Sequence, residues 1–441
     1  MTDTRPVLVG VGQIVDHWTG LNGLSDAPTY LSLAMGAARR AIGDISAVGL
    51  EDAIDTIAMV RTTEDSVPRQ SFPFGRCNNL PRALAKEIGA NPRDAIYGIA
   101  GGQSPQSLIN EVAARIHAGK SEVALVAGSE VIGAIKTASK LGLALDLGLN
   151  VDGDLDDRGM GPVLLTRGEV KHGLVKPAYF YALFENAIAA RNGETRSEHR
   201  RAMAKLFAPF AAISAVNPYA QFGTAFSEDF LATPSPDNYE FADPFLKWHM
   251  AQDAVNLAAA VVVMSSARAD EFGIAEDKRV YVHGAGEAVD DHISERPKLD
   301  GSWAMQVALG RALDQASKTA AEIDFLDFYS CFPCAVFSAC DVLGINPATD
   351  PRPLTQTGGL PFFGGPGNNY SLHAVATMVE TLRTNPGKFG LVLANGGWMT
   401  KEAAIVYSTM PPKSYSPAAE PATPETTLQP ILGPCQGILE T

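Results

Sequence analysis

Cysteine is scarce in this chain and odd in number, with five in 441 residues: Cys77, Cys331, Cys334, Cys340 and Cys435. An odd count in a long chain argues against a disulfide framework. Cys331 and Cys334 form a C-x-x-C, but no second pair or nearby His follows at zinc-ligand spacing and Pro333 lies between them, so no metal is expected. No apolar run reaches the roughly 18 residues that span a bilayer, and the start MTDTRPVLVG lacks the basic-then-apolar order of a secretion signal. The expectation is a cytoplasmic protein without a membrane span. Positive charge is also short, 35 Lys and Arg against 49 Asp and Glu. The resulting formal charge of −14 argues against nucleic acid or an anionic membrane as partner, because basic patches hold both.

What the chain does have is apolar material, 46% of its residues, and a length that suggests two to three structural units. Glycine is concentrated at Thr357–Ser371, TGGLPFFGGPGNNYS, where two Gly pairs bracket Phe362 and Phe363. Such a backbone turns sharply and approaches something closely, either a ligand or a packed neighbour.

Periodicity predicts an ordered succession of elements. Arg5–Val15 reads as a buried strand broken by two glycines, Tyr30–Ile42 as a helix, Ala53–Val60 as a strand and Pro81–Ile88 as a short helix. A long helix at Pro105–Ala118, with Leu108, Val112, Ala113 and Ile116 on one face, ends at Gly119 before the buried strand Glu122–Gly128. Ser104 is placed to cap that helix. The second half repeats the order: strand Arg279–Gly286, helix Trp303–Ala320, strand Ile323–Tyr329, helices Pro333–Leu343 and Asn369–Arg383, and strands Phe389–Gly397 and Ala403–Ser408. Strand Ala258–Ser265 closes the first copy beyond an insert. The reading is a duplicated α/β unit: 1–131 plus 251–270, an inserted loop domain at 132–250, a second copy at 271–410, and a Pro-rich, extended or partly disordered tail at 411–441.

Together, this repeat, the interrupting insert and several words of sequence resemble the thiolase superfamily. The words are IHAGKSEVALVAGSE, NPYAQF at Asn217–Phe222, AAAVVVMSSARA at Ala258–Ala269 and GGLPFFGGP at Gly358–Pro366. The resemblance implies a five-layer αβαβα fold in which each half contributes a sheet. It also implies a cysteine nucleophile at the N-terminus of the long buried helix, where this chain has Gly102. The family's N-E-A-F or H-D-C-F segment is matched by Tyr329–Phe332. Its G-H-P histidine is matched by Gly365, and its late cysteine turn by Leu393–Gly397, which has no cysteine. YSCFP, GGPGNNY and ANGG are closer to the type 1 thiolase-like proteins than to working thiolases.

A glycine cannot form an acyl-enzyme, so ordinary thiolysis is not expected. Tyr329 is the best-placed acid or base and Cys331 the alternative nucleophile. Gly102, Gly365, Asn369, Asn395 and His373 are candidates for an oxyanion or substrate pocket. The resemblance implies coenzyme A as substrate or cosubstrate entering through the loop domain, and Arg200, Arg201 and Lys205 of the basic cluster Arg196–Lys205 are the candidates for its phosphates. Two functions follow. One is an acyltransferase or C–C lyase acting on a CoA thioester or β-keto acid by a cysteine-independent, retro-Claisen-like route. The other is an inert protein or subunit that binds acyl-CoA or lipid, as a homodimer or with a partner subunit.

Overall fold

Strand order displays the duplication directly. A computed structural model describes residues 3–67, 72–162 and 165–424; Cys435 and the tail beyond residue 424 lie outside the described residues. The first half contains β1 (Pro6–Val15), α1 (Tyr30–Ile45), α2 (Leu50–Ala53), β2 (Thr56–Met59), α3 (Leu80–Ile88), β3 (Asp94–Tyr97), α4 (Ser104–His117), β4 (Val123–Glu130), α5 (Ile132–Leu141) and the short β5 (Asp156–Asp157). Next come α6 (Arg167–Lys171), α7 (Pro177–Asn192), α8 (Arg196–Val216), α9 (Glu228–Ala232), β6 (Glu240–Ala242) and β7 (Phe245–Leu246), then β8 (Leu257–Ser265) and α10 (Ser266–Glu271). The second half comprises β9 (Val280–Val289), α11 (Trp303–Ala316), β10 (Phe325–Phe328), α12 (Pro333–Leu343), α13 (Tyr370–Thr384), β11 (Phe389–Gly396) and β12 (Lys401–Ser408).

The sheet runs β10-β11-β12-β9-β1-β8-β4-β2-β3-β5. Its two halves therefore share the order β2-β4-β8-β1 and β10-β11-β12-β9, each with one parallel pair followed by two antiparallel ones. The resemblance implied a sheet for each half. In the structure the pairing is continuous, because β1 and β9 meet antiparallel at Val7 with Tyr281 and Leu8 with Val280.

Helices α4 and α13 pack against strands of both halves, α1 covers β1 and β8, and α11 covers β9 and β12. That is the alternation of five layers. It also explains why α4 buries more than the single face read from its spacing: Ser104, Gln106, Ile109 and Asn110 are buried along with Leu108, Val112, Ala113 and Ile116.

The outer helices approach their strands equally closely in both copies. A Cβ on Gly10 or Gly12 would come 2.2 Å from the carbonyl oxygen of Ala41 or Ala37, and one on Gly284 or Gly286 would come 2.2 Å from that of Ala312 or Ala308. Only glycine permits this strand–helix contact. Beyond β12, part of the Pro-rich tail is extended and tied down: Arg5 donates to Pro412 O at 2.8 Å, Gln315 to Ser416 O at 2.6 Å, and Val289 N to Ala422 O at 2.7 Å. No helix among the described residues is long and apolar enough to cross a membrane.

Candidate functional site

Four turns converge at the start of α4. The β3–α4 turn brings Gly101 (φ 131°), Gly102 and Gln103; the β10–α12 turn brings Tyr329 to Phe332; the β11–β12 connection brings Asn395 to Gly397; and the loop before α13 brings residues 364–369. Asn368 Oδ1 accepts from Gly101 N at 2.9 Å and Ser371 Oγ donates to Gly102 O at 2.7 Å, which locks the α13 loop onto the helix start.

Asp327 fixes the glycine-rich stretch from below. Its Oδ2 accepts from Gln356 N at 2.8 Å, Thr357 N at 3.0 Å and Thr355 Oγ1 at 3.0 Å. Burial raises its carboxyl pKa despite those bonds. Gly359 then packs under Ser330, whose Oγ would stand 2.6 Å from a Cβ there. The first Gly pair is thus an anchor for packing rather than a ligand loop.

Tyr329 and Gly102 are brought together. An ideal Cβ on Gly102 would lie 2.3 Å from the Tyr329 hydroxyl oxygen and 2.5 Å from the Asn395 carbonyl oxygen. The tyrosine therefore fills the space a side chain at residue 102 would need. Asn395 Nδ2 donates to Tyr181 Oη at 3.1 Å and lies 3.7 Å from Cys331 Sγ, so Cys331 joins the same cluster. The Tyr329 hydroxyl has no hydrogen-bond partner among the described residues, and neither do the backbone N–H groups of Gly102 and Gln103. At the N-terminus of a long helix, such donors favour an oxygen carrying negative charge.

Three ionisable groups of this cluster, Tyr329, Cys331 and Glu402, are held neutral. Burial, with the neighbouring Cys331 and Glu402, pushes the Tyr329 phenol above its ordinary range. Burial pushes the Cys331 thiol up to about 12. Glu402 pairs with Asn395 across the β11–β12 ladder, is buried with neither oxygen bonded, and has its carboxyl pKa pushed well above the usual range by burial.

Other candidates lie apart from this cluster or are already committed. His373 is buried in α13; its Nδ1 faces Gln13 Oε1 at 2.9 Å, and burial lowers its pKa to about 3, so it is a neutral core imidazole. Gly365 cannot supply an oxyanion donor, because its N–H already donates to Gln252 O at 2.8 Å. The side chain of Asn369 lies against Gly128, 2.1 Å from where a Cβ would stand, and both its polar atoms are buried without a partner. Ser104 does not cap α4: it is the first helical residue, Gln103 holds the cap position, and the Ser104 hydroxyl is buried and unpaired.

Arg200 and Arg201 line a cavity of about 370 Å³ with Arg196, Ser197 and Asp229, while Lys205 is exposed. Arg200 is paired with Glu240 at 2.9 Å. Ten residues along α8, about 15 Å at the helical rise, Phe210 packs against Gly359. The basic cavity and the turn cluster therefore lie toward opposite ends of one helix. Sequence reasoning missed Gln103, Tyr181 and Glu402. Gln103 stood in plain view between GG and SP, whereas Glu402 had no signal beyond its place next to Lys401 at the start of a strand.

A duplicated five-layer sheet, with turns converging on the N-terminus of the buried central helix, defines a thiolase-fold protein. The crystal structure of a monomeric SCP2-thiolase like protein type 1 from Mycobacterium smegmatis matches with a TM-score of 0.78 and 36% identity over 93% of this chain and 79% of that one. The chain belongs to the thiolase superfamily, and within it to the type 1 SCP2-thiolase-like proteins. More distant in sequence but alike in fold are acetyl-CoA acetyltransferase from Syntrophomonas wolfei (TM-score 0.66, 18% identity, 93% of this chain, 100% of that one) and human mitochondrial 3-ketoacyl-CoA thiolase in complex with CoA (0.64, 16%, 93% and 100%). No family model and no curated protein matches the chain.

Proposed function

We propose that this protein binds acyl-CoA thioesters without forming an acyl-enzyme. The observation that carries the reading is the Tyr329 hydroxyl standing over Gly102, in the space that a side chain at the head of α4 would occupy. Cys331, in the same cluster, is a protonated thiol at neutral pH, and the thiolate is the nucleophile. Glu402 is also held protonated by burial, and burial leaves the His373 imidazole a weak base. Hydrogen-bond donors remain: the Tyr329 hydroxyl and the free N–H groups at the helix start suit a thioester carbonyl oxygen.

The acyl-CoA ligand class comes from membership of the superfamily, and Arg200, Arg201 and Lys205 are proposed for its phosphates. Tyr329 has no hydrogen bond to lose if its side chain moves as a ligand enters. A second reading is supported by that same hydroxyl: proton donation to an enolate formed when a C–C bond beside the thioester breaks.

Calorimetry with acetoacetyl-CoA, together with assay for acetyl-CoA after addition of CoA, tests both. Binding without turnover is the expected result. Turnover that disappears in Tyr329→Phe moves the account to the second reading, and turnover that disappears in Cys331→Ala overturns both.

A further inference from the structure

Beside Gly102, one side chain is built into the cluster with every polar atom unanswered. Gln103 is 3% exposed, and neither its Nε2 nor its Oε1 has a hydrogen-bond partner. Leaving both ends of a buried amide unpaired is costly, so the position calls for a partner. Two glycines cradle it. The amide oxygen stands 1.8 Å from where a Cβ on Gly396 would be and 2.1 Å from where one on Gly101 would be. Neither neighbour could carry a side chain with the amide in place. Gly396 also brings the amide close to the helix start, since its own Cβ would lie 3.2 Å from Gly102 N.

We infer that Gln103 is a specificity-determining residue that reads a 3-hydroxyacyl thioester, an inference that rests on the acyl-thioester reading above. A primary amide offers a donor and an acceptor side by side. Its chemical complement is a ligand that presents an acceptor next to a donor. A 3-hydroxyacyl thioester does so: its carbonyl oxygen accepts from Nε2 and its 3-hydroxyl donates to Oε1. A 3-oxoacyl thioester presents two acceptors and a saturated acyl thioester one, so each leaves Oε1 without a donor. A site built to bond a hydroxyl discriminates strongly against ligands that lack it.

Dissociation constants for 3-hydroxybutyryl-CoA, acetoacetyl-CoA and butyryl-CoA, measured by calorimetry on the full chain, test the assignment. The wild-type protein should bind the 3-hydroxy ester about tenfold or more tightly than either of the others. In Gln103→Met, all three should weaken and the differences should close to within about twofold. Gly396→Ala should have the same effect while leaving Gln103 intact, because the added methyl group displaces the amide. Equal affinities for the three esters in the wild type overturn the inference while leaving the acyl-thioester reading standing, and that comparison needs no variant. A preference that persists in either folded variant also overturns it. If none of the three esters binds, the acyl-thioester reading fails and this inference fails with it.

Discussion

The hydroxyl of Tyr329 stands 2.3 Å from where a Cβ on Gly102 would lie, so residue 102 cannot carry a side chain while Tyr329 keeps its place. Restoring a cysteine there should therefore damage the fold before it restores any chemistry. Gly102→Cys should lose about 1–3 kcal/mol of stability to overpacking. Combined with Tyr329→Ala, it should cost less than the sum of the two single changes, because the second change empties the space the first needs. Urea denaturation of the four proteins measures this, and strict additivity would show that the two residues do not compete.

Cys331 should be unreactive. With its thiol pushed up to about 12 by burial, only about one molecule in ten thousand is a thiolate at pH 8. Iodoacetamide on the native protein should label the half-buried Cys77 well before Cys331, as read by peptide mapping. Preferential labelling of Cys331 at pH 8 would contradict the burial argument.

Glu130, at the end of β4, links stability to pH. Its Oε1 accepts from Thr63 N at 2.7 Å and Thr63 Oγ1 at 2.8 Å, its Oε2 is unpaired, and burial raises the carboxyl from 4.5 to about 8. The folded state therefore holds a proton that the unfolded state releases near its ordinary pKa. That contribution is complete below about pH 4.5 and is lost as pH rises toward 8. Glu130→Gln keeps the acceptor and removes the ionisation. It should be more stable than wild type at pH 8, by up to a few kcal/mol, with a flatter stability profile between pH 5 and pH 8. Identical profiles would remove Glu130 as the cause.

Both ends of the sheet are blunted. β5 pairs along β3 and sets Asp157 against Arg61, while Leu354 O accepts from Phe328 N at 3.0 Å and Gln356 donates to Leu326 O at 3.1 Å beside β10. With only the two-residue β5 as an exposed edge among the described residues, light scattering should give a monomer of 46.7 kDa. A stable dimer would show that association uses another face.

The fold was legible because local pattern and global arrangement agree. Paired glycines in the first strand of each copy mark the contact with α1 and α11, and helix-ending glycines mark the boundaries. Less of the site could be read. Gly102 and Tyr329 could be matched to positions in a family pattern, but their contact joins the two copies, and periodicity carries no information about such a pairing. His373 looked available from its place after a glycine turn, and its burial comes from α13 lying between the two half-sheets. The N–H of Gly365 was spent on Gln252, a residue more than a hundred positions away. Gln103 was passed over because a glutamine at a helix start is ordinary until both its neighbours prove unable to hold a side chain.

A crystal structure of the protein soaked with acetoacetyl-CoA tests the central claim most directly. The account predicts an intact thioester whose carbonyl oxygen faces the Tyr329 hydroxyl and the N–H groups of Gly102 and Gln103, with no bond to protein sulfur. An acyl group attached to Cys331 Sγ, or a thioester seated away from the head of α4, would contradict it.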